Sequence, residues 1–231
     1  MTNYCIIPAR KNSKRIKNKN SKNFCGKPII QWPIEQAIKS KKFDKIFVYT
    51  DDIKIKKLYK KKKNIIIINR NSKCASDFTP VLKSIRTCIK EILKLYARPK
   101  NICYILPTAV LLKHIYLTKS YNLFIKSKKK FCFAVTNFSY PIQRSFTLKN
   151  NKISMIMKNS KLRRSQDLAK VYHDAGMFYW GNTEAYQKKI EMYSKETLPF
   201  KISNHKTIDI DDKNDWNNAI VKFKYLKNSL F

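Results

Sequence analysis

Five short apolar runs punctuate the chain, at Tyr4–Ile7, Lys45–Tyr49, Asn64–Ile68, Ile102–Leu106 and Phe131–Val135. Each has the length of a strand buried on both faces. Apolar residues recur at helical spacing over Ile29–Lys39, Ile53–Lys60, Thr79–Leu95, Ile115–Lys126, Thr183–Met192 and Asp212–Lys227, which predicts helices there. Strands alternating with helices predict an α/β fold, with a mostly parallel sheet covered on both faces. The rhythm breaks over residues 138–172. Within that excursion Phe146–Leu148 and Lys152–Met155 flank the turn-like Lys149-Asn150-Asn151 and predict a β-hairpin. Such excursions make dimer contacts or lids. A strand around Gly176–Trp180 is expected to return the chain to the core.

Length and composition narrow the class. A chain of 231 residues fits one domain, and a hydrophobic fraction of 43% excludes wholesale disorder. The net charge of +35 suggests a nucleic-acid partner. The lysines argue otherwise, because Lys39, Lys41 and Lys42, Lys60–Lys63 and Lys128–Lys130 fall at expected helix ends and turns. They form no single stripe, so no specific nucleic-acid partner is expected. Cys5, Cys25, Cys74, Cys88, Cys103 and Cys132 show no metal-ligand spacing and sit mostly in apolar runs, which points to a reducing, cytoplasmic setting. No signal peptide is expected, and the longest mostly apolar stretch, Ile102–Leu112, is too short to span a membrane.

Candidate chemistry begins at the N-terminus. The first predicted strand runs into Pro8-Ala9-Arg10-Lys11-Asn12-Ser13-Lys14, with Asn20 soon after. Ligands of open α/β sheets sit beyond the carboxyl ends of the strands. Arg10, Ser13, Lys14 and Asn20 there offer charge and donors to a polyanion such as a nucleoside triphosphate. Neither a Walker A sequence nor GxGxxG occurs, which disfavours P-loop and dinucleotide enzymes.

Asp209 and Asp211 alternate with Ile208 and Ile210. In a strand the two carboxylates would share a face, as needed to hold Mg²⁺ beside phosphates. Alternatively, Asp211 or Asp212 caps the helix that follows. Asp52 could cap a helix as well, and Arg70 and Ala75 lie beyond a predicted strand end. Gln143, Arg144, Arg164, Gln166, His173 and Asp174 form a mixture suited to an acidic, polyhydroxylated ligand. A His173–Asp174 dyad is not implied, because neighbours on a strand face opposite ways.

Ile7-Pro8-Ala9-Arg10, Ser13-Lys14, Lys19-Asn20 and Phe24-Cys25-Gly26-Lys27-Pro28 resemble the N-terminal signature of the CMP-sialic acid synthetase group of cytidylyltransferases. Thr50-Asp51-Asp52, Leu106-Pro107-Thr108-Ala109 and Asp209-Ile210-Asp211 resemble its later motifs, in order. The segments 141–144, 164–168 and 172–180 look most like the branch that activates pseudaminic acid, a bacterial nine-carbon sugar acid. The resemblance implies a Rossmann-like fold, a homodimer, Mg²⁺ dependence, and transfer of CMP from CTP to the sugar acid with release of pyrophosphate. It implies Arg10, Ser13, Lys14 and Asn20 at the triphosphate, and Arg70 and Ala75 near the cytosine. Asp209 and Asp211 would hold Mg²⁺. Gln143, Arg144, Arg164, Gln166, His173 and Asp174 would line the sugar side, some across the dimer. Arg10, Lys14 and Asp211 would carry catalysis, with the general base open between a carboxylate and metal-bound water. Related acids such as N-acetylneuraminic or legionaminic acid are the alternative substrates.

Overall fold

The computed structural model describes residues 1–11, 13–70, 81–157 and 164–228. In chain order it contains β1 (Asn3–Ala9), β2 (Asn23–Phe24), β3 (Lys27–Pro28), α1 (Gln31–Ser40), β4 (Lys45–Thr50), α2 (Ile53–Tyr59) and β5 (Ile65–Asn69). Then come α3 (Val81–Leu95), β6 (Asn101–Ile105), α4 (His114–Ser127), β7 (Phe131–Asn137), β8 (Phe146–Lys149) and β9 (Lys152–Met155). The chain continues through β10 (Tyr172–Asn182), α5 (Thr183–Gln187), β11 (Thr197–Lys201) and α6 (Lys213–Asn228).

Among the described residues the central sheet has seven strands, in the order β11-β7-β10-β6-β1-β4-β5. The β1–β4, β1–β6, β4–β5 and β7–β11 pairs are parallel, while β10 runs antiparallel to both β6 and β7. This is the expected Rossmann-like α/β arrangement. Strand alternation divides the core into two clusters. Cys5, Ile7, Ile46, Val48, Cys103 and Ile105 pack with Ile34 and Ala37 of α1, Ile55 of α2, Leu117 of α4 and Trp216 of α6. Tyr4, Ile6, Phe47, Tyr49, Ile102 and Tyr104 face the other way, against Ile85, Cys88 and Ile92 of α3 and Tyr186 of α5. Both faces of the sheet are therefore covered, which explains why its strands read as continuous apolar runs. No helix of the described residues is long and apolar enough to cross a membrane.

Several elements differ from the sequence expectation. The final strand β11 follows no clean alternation, because it is a half-buried edge and contains Pro199. Edge strands tolerate proline, which lacks a ladder donor. The predicted helix over Thr183–Met192 stops at Gln187, and Lys189 adopts a left-handed backbone. The start of the helix predicted from Thr79 lies outside the described residues. The segment around Asp209 and Asp211 pairs with no strand. It nevertheless keeps the side-chain alternation of extended backbone, for Ile208 and Ile210 join the core. The hairpin forms as expected, and Asn150 and Asn151 turn it with left-handed backbones at φ 49° and 56°, the geometry of a two-residue primed turn.

Candidate active site

The loop after β1 is fixed at both ends. Thr50 Oγ1 donates to the Ala9 carbonyl at 2.5 Å, and the Lys11 amide donates to Asp51 Oδ1 at 2.8 Å. Buried Asn20 donates through Nδ2 to the Arg10 carbonyl at 3.0 Å. Ile16 is sunk in the core, so the polar residues on either side of it are held over the strand ends. Asp52 supports the loop from below. It accepts from Ser21 Oγ at 2.9 Å and caps α2 by accepting from the Lys54 amide at 2.8 Å. Its part is structural, as the capping alternative anticipated.

This scaffold opens a cavity of about 610 Å³ whose wall includes Arg10, Ser13, Lys14, Asn20, Arg70, Asp209 and Asp211. Every described residue assigned from sequence to the nucleotide or the metal is on that wall; Ala75 lies outside the described residues. The Arg70 guanidinium sits 5.7 Å from the Tyr49 ring centre, at the end of β5.

Asp211 escapes the capping role because Asp212 takes it. The Asp215 amide donates to Asp212 Oδ1 at 2.9 Å, and Asp215 Oδ2 accepts from the amides of Asp211 and Asp212. This reciprocal box satisfies the start of α6 and leaves the Asp211 carboxylate turned to the cleft. There it meets Arg15 Nη2 at 2.7 Å and Lys19 Nζ at 3.9 Å. The Arg15–Asp211 pair is well exposed, so opening it costs little, about 0–1 kcal/mol. Lys19 is more deeply set and donates to the Ile210 carbonyl at 2.5 Å. Burial lowers its pKa, partly offset by Asp211 and Asp209. Asp209 is pushed upward, first by desolvation and then by the charge of Asp211. Two crowded carboxylates, one of them poorly hydrated, fit a divalent cation.

A second cavity of about 790 Å³ adjoins the first, and Asp209 lies on the wall of both. His173 and Asp174 line it with Asn204, Thr207 and Lys222. Asp174 is saturated: it accepts from the hydroxyls of Tyr179 and Tyr193 and from the Gly176 amide at 2.7–2.8 Å. His173 Nδ1 lies 2.8 Å from the Asp174 carbonyl, so ring and carboxylate form no dyad. The remaining sugar-side candidates sit elsewhere. Gln143 is buried and donates to the Ala169 carbonyl at 2.7 Å, tying the excursion together. Arg164 pairs with Asp167 at 2.9 Å. Arg144, Arg164 and Gln166 line neither cavity.

Residues 4–227 match the family model described as cytidylyltransferase. The chain belongs to the cytidylyltransferase family. It is 35% identical, over the full length of both chains, to pseudaminic acid cytidylyltransferase of Campylobacter jejuni (strain 81-176). It is 26% identical to N-acylneuraminate cytidylyltransferase of Streptococcus agalactiae (strain NEM316), over 94% of this chain and 52% of that protein. A solved CMP:2-keto-3-deoxy-manno-octonic acid synthetase complexed with CTP shares the fold, with a TM-score of 0.71 at 14% identity, covering 98% of this chain and 100% of that one.

Sequence reasoning assigned no role to Lys19 in this cytidylyltransferase, although its position in the basic loop was a signal. Lys222 gave none, being one lysine among many on a helix. For Asp209 the folded protein holds a proton more tightly than the unfolded chain does. Ionisation therefore costs stability above the raised pKa, and the cost is absent below the ordinary carboxylate range. Asp209→Asn should raise the thermal midpoint at pH 7 by about 1–2 °C, a small gain because the group is partly solvated. The gain should vanish as the pH falls below about 4, the ordinary carboxylate pKa. An unchanged or lower midpoint at pH 7 would contradict the crowding.

Proposed function

We propose that the chain is a pseudaminic acid cytidylyltransferase, converting CTP and pseudaminic acid to CMP-pseudaminic acid and pyrophosphate for surface glycoconjugates or flagellin. The observation that carries this reading is the meeting of two cavities at Asp209: a basic cleft for the triphosphate and a chamber of mixed polar and apolar lining for the sugar acid. The full-length similarity to a pseudaminic acid cytidylyltransferase supports the choice of sugar. Free, buried thiols at Cys5, Cys88, Cys103 and Cys132 fit a reducing cytoplasm.

The reaction is an in-line attack by the anomeric hydroxyl on the α-phosphorus of CTP. The new O–P bond forms as the bond to pyrophosphate breaks, and the hydroxyl proton passes to a carboxylate or to water. Arg10 and Lys14 neutralise charge that grows on the α-phosphate and the leaving pyrophosphate. Such preorganised charge is the main catalytic lever in phosphoryl-type transfers. Ser13 and Asn20 orient the triphosphate, and Arg70 bounds the base end. Asp209 and Asp211 would hold Mg²⁺, which supplies electrostatic stabilisation to the phosphates. Arg15 and Lys19 balance the two carboxylates until then.

A homodimer accompanies this reading. The hairpin exposes Phe146, Leu148 and Ile153, with Ile156 and Tyr140 beside it. A second copy, offering the same apolar strip about a twofold axis, covers it and could bring Arg144 or Arg164 to a neighbouring chamber.

Pyrophosphate release should require CTP, Mg²⁺ and pseudaminic acid together, and fall off with N-acetylneuraminic or legionaminic acid. Asp211→Asn should cut turnover by about 100-fold or more while leaving the fold intact. Turnover with another acid alone would overturn the sugar assignment; full activity in folded Asp211→Asn would remove the metal assignment. In sedimentation the wild type should run as a dimer, and Leu148→Asp with Ile153→Asp as a monomer. A wild-type monomer at micromolar concentration would contradict the dimer.

A further inference from the structure

The second cavity has a charge imbalance that the sequence does not reveal. The chain carries 50 lysines and arginines. Among the described residues lining this chamber, Lys222 alone is lysine or arginine. Its Nζ donates to the carbonyls of Asn204 at 2.9 Å and Thr207 at 2.8 Å. Two of its three donors are therefore spent on neutral oxygens, which aim the ammonium without neutralising it. No ion pair joins Lys222 to a carboxylate among the described residues. The acids on the chamber wall are engaged elsewhere: Asp174 by two tyrosines and an amide, and Asp209 at the seam with the nucleotide cleft. His173 is tied to the backbone of Asp174.

We propose that Lys222 binds the carboxylate of the acceptor sugar acid through its third donor. The inference rests on the sugar-acid reading above. A half-buried ammonium without a protein counter-ion is costly to hold, and an incoming carboxylate supplies the missing charge. Burial lowers the Lys222 pKa with no acidic neighbour to offset it, in keeping with an unfilled partner position. The two carbonyls fix the direction of approach, so the carboxyl end of the sugar lies against α6, and the rest of the chamber remains for the hydroxyl and acylamino groups.

The test is steady-state kinetics on the full-length enzyme, with pseudaminic acid and with its carboxamide analogue. Lys222→Met should raise the KM for the acid about 10–100-fold, the scale of one charge-assisted hydrogen bond. The KM for CTP should stay unchanged. Lys222→Arg should recover part of the affinity. With the carboxamide, wild type and Lys222→Met should be equally poor. Should Lys222→Met fail to fold, Lys222→Gln carries the same comparison. An unchanged KM for the acid would overturn the proposal. So would a matched loss with acid and carboxamide, which would reduce Lys222 to a strut for the 204–207 turn. Absence of turnover by wild type with any nonulosonic acid, despite CTP binding, would overturn the sugar-acid reading and this inference with it.

Discussion

Asp209 lies against the bare backbone of Gly176, where a Cβ would come within 3.3 Å of the carboxylate carbon. The site depends on that approach. Gly176 has φ +62°, a left-handed conformation that side chains disfavour. It sits where β10 slips register between Asp174 and Tyr179. Among the described residues β10 is the one antiparallel strand of the core sheet, and at this irregularity its backbone meets Asp209 of the loop ahead of α6. Asp209 then reaches the seam between two cavities, with Asp211 beside it. A side chain at Gly176 would strain the left-handed backbone and force the Asp209 carboxylate to give way by a few tenths of an ångström.

The same juxtaposition costs stability, and the fold offsets the cost with fixed partners. Desolvation and Asp211 disfavour charge on Asp209, while Lys19 counters them in part. Lys19 is itself held by the Ile210 carbonyl, so the cation cannot drift from the pair it balances. The cap at Asp212 and Asp215 holds the Asp211 backbone without using its side chain. These restraints hold the backbone of the carboxylate pair and leave the Asp211 side chain to the exposed Arg15 and to Lys19. On the proposed reading, a triphosphate and a cation bound here would stabilise the folded protein by mass action.

Much of this was legible in the chain, and physical reasons separate what was from what was not. The buried strands announced themselves because both faces of the sheet are covered, which demands uninterrupted apolar runs. The basic loop was legible because its donors are contiguous and follow a strand directly. The carboxylate pair was legible without a paired strand. Alternation belongs to extended backbone, so Asp209 and Asp211 share a side even though no strand pairs with them. What stayed hidden is long-range. The Lys19 contact spans 191 residues, and Lys222 matters only because α6 lies along the 204–207 turn. The arginines that the sequence assigned to the sugar side show the converse. Arg164 sits in a motif of the expected composition, yet in one copy of the chain it closes a local pair with Asp167. Composition could name that segment but not the direction in which it points.

The central claim is the division of labour between the two cavities, and diffraction from crystals soaked with CTP tests it most directly. The account predicts the triphosphate along Arg10, Ser13 and Lys14 in the cleft of about 610 Å³, its base toward Arg70, with the chamber beyond Asp209 left open. A nucleotide seated instead in the chamber lined by His173 and Lys222 would contradict it.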